Sequence, residues 1–88
     1  MTEQNVTINN RAGIHARPAS VLVQVSKDFK SSIYLEKGNT RINGKSILGI
    51  MTLGAGFGME LKIIAEGEDE KEAVETIVRL FNTKFEEE

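Results

Sequence analysis

The sequence predicts an α+β open-faced sandwich, a four-stranded antiparallel sheet with three helices on one face, in the order βαββαβα. Three observations carry this reading. Residues 59–63 alternate apolar and polar side chains and Ala65 continues the apolar face, the two-residue period of a half-buried strand. Two longer segments, 16–29 and 69–85, instead place apolar residues at helical spacing. Shorter strand-like runs fall between and before them, so strands and helices must pack as layers around one core.

Val6-Thr7-Ile8 alternates and reads as the first strand, and residues 9–13 form a polar loop ending in Gly13. The first helix shows Ala19, Leu22, Val23, Val25 and Phe29 on its apolar side. Pro18 fits only the first turn, where its missing N–H costs nothing, so the helix starts within a few residues of His15. Ile33-Tyr34-Leu35-Glu36 and Arg41-Ile42-Asn43 read as two strands joined by a turn at Gly38-Asn39. Ser46 is placed to cap a two-turn apolar helix over residues 47–53, which Gly54, Gly56 and Gly58 terminate. The strand 59–65 follows. Asp69, with Glu72 three residues on, resembles a capping box for a last helix marked by Val74, Ile77, Val78, Phe81 and Phe85. The tail Glu86-Glu87-Glu88 is expected to be solvated.

The 88 residues suit a single domain, 1–88, with a modest core. The absence of cysteine removes disulfides, thiolate chemistry and cysteine-ligated metals. The first residues lack the basic and apolar regions of a signal peptide, and no apolar run approaches the ~20 residues that span a membrane. A soluble, cytoplasmic protein is expected. The net charge of −2 and 6% aromatic content argue against nucleic acid as a direct partner.

One constellation carries chemistry. His15 is the only histidine and lies in Gly13-Ile14-His15-Ala16-Arg17-Pro18. The helix start beside it offers unpaired backbone N–H groups and the positive end of the dipole, a natural anion site. Arg17 adds a permanent charge whose donors suit phosphate oxygens. Gly13 allows a sharp turn or close backbone approach. A neutral imidazole is a competent nucleophile near neutral pH, so these parts suit transient acceptance of a phosphoryl group. No carboxylate lies nearby in sequence to complete a hydrolytic triad, and the residues of a metal site cannot be assembled from the pattern. Neither a metal nor a cofactor enters this reading.

Ser46 has two compatible roles: a helix cap, worth ~1 kcal/mol, and a phosphorylation site, since phosphate is favoured at a helix N-terminus. Two turns cannot bury Ile47, Leu48, Ile50, Met51 and Leu53 on one side, so part of this helix should be exposed as a docking patch. Gly54-Ala55-Gly56-Phe57-Gly58 is not a nucleotide loop, because it precedes a strand and no Lys-Ser/Thr follows.

With these residues in hand, the chain resembles the HPr family, the histidine-containing phosphocarriers of the bacterial sugar phosphotransferase system. Gly13-Ile14-His15-Ala16-Arg17-Pro18-Ala19 and Lys45-Ser46-Ile47-Leu48-Gly49-Ile50-Met51-Thr52-Leu53 carry the resemblance. It implies that His15 is phosphorylated on Nδ1 by enzyme I, supported by Arg17, and that the group passes to IIA components of sugar permeases. It further implies that an ATP-dependent HPr kinase/phosphorylase modifies Ser46, and that the serine-phosphorylated form partners a catabolite-control transcription factor. Ala16, Ser20, Ile47, Leu48 and Met51 match docking positions, and a monomer suffices. Two positions depart from the pattern: Ala12 replaces a small polar residue, and Phe57 stands where a polar residue is common. The presence of His15 disfavours the regulatory homologue that lacks it. A regulator of the nitrogen-related branch, a pure interaction module and a nucleic-acid-binding domain are the competing readings.

Overall fold

The computed structural model describes residues 1–86. Its elements are β1 (Thr2–Thr7), α1 (Ala16–Lys27), β2 (Ser32–Lys37), β3 (Thr40–Asn43), α2 (Ile47–Leu53), β4 (Glu60–Glu66) and α3 (Glu70–Asn82). The strands form one antiparallel sheet in the order β1-β4-β2-β3. The βαββαβα open-faced sandwich is therefore the fold.

The alternation seen in the sequence sorts the two sheet faces. Val6 pairs with Leu61, Leu35 with Ile63 and Ile33 with Ala65, and all six are buried against the helices. The other face carries Glu3, Tyr34, Glu36, Arg41 and Lys62, with ion pairs between Arg41 and Glu36 at 3.0 Å and Lys62 and Glu3 at 3.7 Å. The helices close the inner side. α3 packs on β1 and β4, α2 packs on β3, and α1 touches both other helices. Ala19, Leu22, Ile50, Ala73, Ile77 and Phe81 enter the core from these helices.

Four boundaries differ from those expected. β1 starts at Thr2, because pairing with β4 extends it beyond its apolar part, and buried Ile8 follows the strand rather than belonging to it. α1 ends at Lys27, so Phe29 packs against the core from the loop beyond. Asp69 occupies the N-cap of α3 but makes no cap bond. Its carboxylate accepts from the backbone N–H groups of Lys30 and Ser31, each at 2.9 Å, and from the Ser31 hydroxyl. A tertiary tie to the α1–β2 loop has displaced the local cap. Glu70, not Glu72, reaches back, accepting from Gly67 N–H at 3.2 Å. Finally, Phe85 lies outside α3, in a turn whose residues Lys84, Phe85 and Glu86 have φ of 55–59°. That left-handed turn brings its ring edge-on to Phe81, with centroids 4.9 Å apart. Of the acidic tail, Glu87 and Glu88 lie outside the described residues.

Candidate functional site

The site begins with a tight loop between β1 and α1. Gly13 N–H donates to the Asn10 carbonyl at 3.0 Å, closing a four-residue turn. Asn at the first position and Gly at the fourth suit such a turn. The Asn10 side chain is itself buried, and its Nδ2 donates to the Gly13 carbonyl at 2.6 Å. Gly13 sits at φ +72°, and a Cβ there would meet the Ala55 carbonyl and Gly56 Cα at 2.9 Å each. Both uses expected of this glycine are therefore present. Ile14 then turns inward, buried, and its N–H donates to the Ala55 carbonyl at 3.0 Å.

His15 follows as the N-cap of α1, exposed, with extended backbone. Its carbonyl accepts the first helical bond, from Ala19 N–H at 3.0 Å. Pro18, the third helical residue, is buried and lacks an N–H where none would find an acceptor within the helix. His15 thus stands at the electropositive end of a twelve-residue helix that has no acidic residue in its first turn. Arg17, the second helical residue, is exposed and enters no ion pair among the described residues. Ala16 and Ser20, one turn apart on the same side of α1, are also exposed.

The second motif forms α2. Ser46 is its N-cap, half-buried, and its Oγ accepts from Gly49 N–H at 3.1 Å, as expected of a cap. Ile50 and Leu53 are buried, while Ile47, Leu48 and Met51 are exposed. The helix ends at Gly54 with φ +66°. Ala55 and Gly56, just beyond, are the residues that receive the His15 loop. The C-terminal end of α2 therefore abuts the His15 loop. Ser46 lies at the other end, about 10 Å along the axis for seven residues. Lys45 is tied down beside it, its Nζ donating to the Phe29 carbonyl at 2.8 Å. Among the described residues, no three His, Asp or Glu side chains group as a metal site would require.

The family model described as the PTS HPr component phosphorylation site matches residues 2–83. The chain belongs to the HPr family. The phosphocarrier protein HPr of Treponema pallidum is 49% identical over 88 residues, all of both chains. The HPr-like protein Crh of Bacillus subtilis is 43% identical over 77 residues, 88% of this chain and 91% of Crh. The crystal structure of HPr from Thermoanaerobacter tengcongensis superposes with a TM-score of 0.97 at 48% identity, covering 100% of this chain and 99% of that one. As a member of this family the chain is a phosphocarrier of the phosphotransferase system rather than a catalytic enzyme.

Sequence reasoning missed two parts of this HPr-family site. Asn10 was read only as loop, although its spacing to Gly13 is a turn signal. Residues 54–58 read locally as a helix stop and a flexible loop, whereas Ala55 and Gly56 among them receive the His15 loop. Nothing in local spacing marks that second role, because the contact joins residues some forty positions apart.

Proposed function

We propose that His15 accepts a phosphoryl group from phosphorylated enzyme I and hands it to IIA components of sugar permeases. The observation that carries this is the exposed imidazole at the N-cap of α1, beside Arg17 and with no acid in the first helical turn. Attack by Nδ1 requires the tautomer that keeps its proton on Nε2. A nitrogen–phosphorus bond forms, and the bond from phosphorus to the donor group breaks, its electron pair leaving with the donor. The helix terminus favours the anion held there by ~0.3–1 kcal/mol, and the Arg17 guanidinium supplies charge-assisted donors. These effects steady the cargo without trapping it, which suits a group that must leave again.

Ser46 is the regulatory site in this proposal, modified by an HPr kinase/phosphorylase and read by a catabolite-control transcription factor. Its capping geometry supports this: a phosphate there meets the free N–H groups of α2 and adds roughly −1.5 to −2 charge to an otherwise uncharged helix. Ala16, Ser20, Ile47, Leu48 and Met51 form the docking face, and all five are exposed. The acting form is a single-domain monomer in the cytoplasm. No helix among the described residues is long and apolar enough to cross a membrane.

The test is incubation with enzyme I and phosphoenolpyruvate, followed by mass spectrometry under conditions that preserve acid-labile phosphate. One phosphate on His15, absent from a folded His15→Ala variant, is the expected result. Acid-labile phosphate retained on that variant overturns the assignment.

A further inference from the structure

Phe57 is the aromatic residue that the family pattern does not lead one to expect, and the structure displays it rather than hiding it. It is 62% exposed. The backbone on either side of it is fastened. Met59 N–H donates to the Gly56 carbonyl at 3.1 Å, closing a turn with Phe57 and Gly58 at its centre. Gly58, at φ +82°, has the backbone a type II turn requires at that position. Gly58 N–H donates to the Ile8 carbonyl at 2.8 Å, and Ile8 N–H donates to the Met59 carbonyl at 2.9 Å. The second half of the turn, Gly58 and Met59, is therefore locked to the chain leaving β1.

The turn is also the neighbour of the reactive residue. Gly56 sits so close to Gly13 that no Cβ fits between them. Phe57 is one Cα step of ~3.8 Å beyond Gly56, and His15 is two steps beyond Gly13. Exposed Met51 stands on the helix that leads into the same turn. Across residues 46–59 there is no charged side chain at all, while Arg11 and Arg17 flank His15. Aromatic residues, Met and Arg are the side chains enriched in protein interfaces, and acids and lysines are depleted from interface cores. A large ring on a rigid turn also loses little freedom when a partner covers it, so more of its burial appears as affinity.

Resting on the proposed carrier function, we infer that Phe57 is a docking anchor and specificity-determining residue for the phosphoryl donor. It seats in an apolar recess on enzyme I, beside a carboxylate-rich rim that faces Arg11 and Arg17. The donor is the occupant because any protein that brings phosphorus in line with His15 must cover the adjoining turn. The apolar, uncharged surface at Phe57 and the cationic one at His15 then call for that pairing of recess and acidic rim.

The experiment compares wild type, Phe57→Ala, Phe57→Lys and Phe57→Tyr with enzyme I of the same organism. Thermal melts establish that all four fold alike. Binding is measured by titration in a His15→Ala background, and transfer by steady-state phosphorylation. Phe57→Ala is expected to raise Kd and KM about tenfold with kcat within twofold, Phe57→Lys to do so more strongly, and Phe57→Tyr to stay within threefold of wild type. A KM and Kd for Phe57→Ala within twofold of wild type overturn the inference while the carrier function stands. Binding that depends on Phe57, together with no phosphate on His15 of the wild-type protein, overturns the carrier function instead. Loss of self-association with an unchanged KM shows that the ring seats a second copy of this chain, and also overturns the inference.

Discussion

Replacing Gly13 with alanine tests whether the His15 loop is held by a close approach or merely by a permissive turn. Gly13 at φ +72°, Gly38 at +59° and Gly54 at +66° are alike in backbone conformation. An L-residue there costs roughly 1–2 kcal/mol. Gly38 and Gly54 have no atom within 4 Å of a built Cβ, so alanine at either should cost that amount and no more. At Gly13 the Cβ would also lie 2.9 Å from two backbone atoms of residues 55 and 56, which cannot rotate aside. Overpacking of this kind adds about 1–3 kcal/mol. Gly13→Ala should therefore melt roughly 4–24 °C below Gly38→Ala, since 1 kcal/mol shifts a domain of this size by about 4–8 °C. The clash is relieved only by parting the two loops, which stretches the bond from Ile14 N–H to the Ala55 carbonyl and displaces His15. A misplacement of ~1 Å can slow a positioned reaction about 10²-fold. Urea or thermal unfolding of the three variants, with phosphoryl acceptance measured on each, is the assay. Equal melting points for Gly13→Ala and Gly38→Ala, or wild-type acceptance by Gly13→Ala, would refute the close-approach argument.

Ser46→Ala removes the oxygen that accepts from Gly49 N–H and should cost ~1 kcal/mol, read by denaturation. Ser46→Asp keeps an acceptor there and should retain near-wild-type stability, yet accept phosphate from enzyme I severalfold more slowly; equal rates would remove the regulatory reading. Acid stability depends on the start of α3. The Thr2 hydroxyl, the Met1 ammonium and Gly67 N–H bring the Glu70 carboxyl from its ordinary 4.5 to about 2, and the Ser31 hydroxyl and Lys30 N–H lower that of Asp69. Both are depressed in the folded state, so their contribution is present above the unfolded values and is lost as pH falls, for Glu70 from about 4.5 toward 2. Glu70→Gln and Asp69→Asn should each be less stable at neutral pH and show a shallower loss below pH 4.5; unchanged slopes would show that these groups do not govern acid unfolding.

Much of the fold was legible because its elements obey simple periods. The strict alternation of residues 59–63 describes β4, whose one face meets the helices. The helical spacing from Ala19 to Val25 describes α1. Pro18 narrowed the start of α1 to within a few residues, and that alone placed His15 at a helix N-terminus. The misplaced boundaries share one cause. Asp69 has a good local use as a cap and a better distant one at residues 30–31, where three donors converge on it. Phe85 continues the helical spacing of α3, but the chain turns left-handed after Asn82 to set its ring against Phe81. In each case a contact made by the whole fold outcompeted the local preference from which the sequence was read.

The net charge of −2 is the composition figure that conveys least about the site, because it averages two regions of opposite sign. Between residues 4 and 27 the chain carries Arg11, Arg17 and Lys27 and no acid; between 37 and 59 it carries Lys37, Arg41 and Lys45 and no acid. These stretches contain the loop and N-terminus of α1 and all of α2. The thirteen acids all fall outside these stretches, at residues 3, 28, 36 and from 60 onward. At a Debye length of about 8 Å, a docking partner senses the local charge rather than the sum. An acidic protein can therefore approach the His15 end of a molecule that is acidic overall. By the same argument a phosphate at Ser46, were it added, would place roughly two negative charges on a stretch of sequence that carries no acid, and would repel an acidic partner approaching that end.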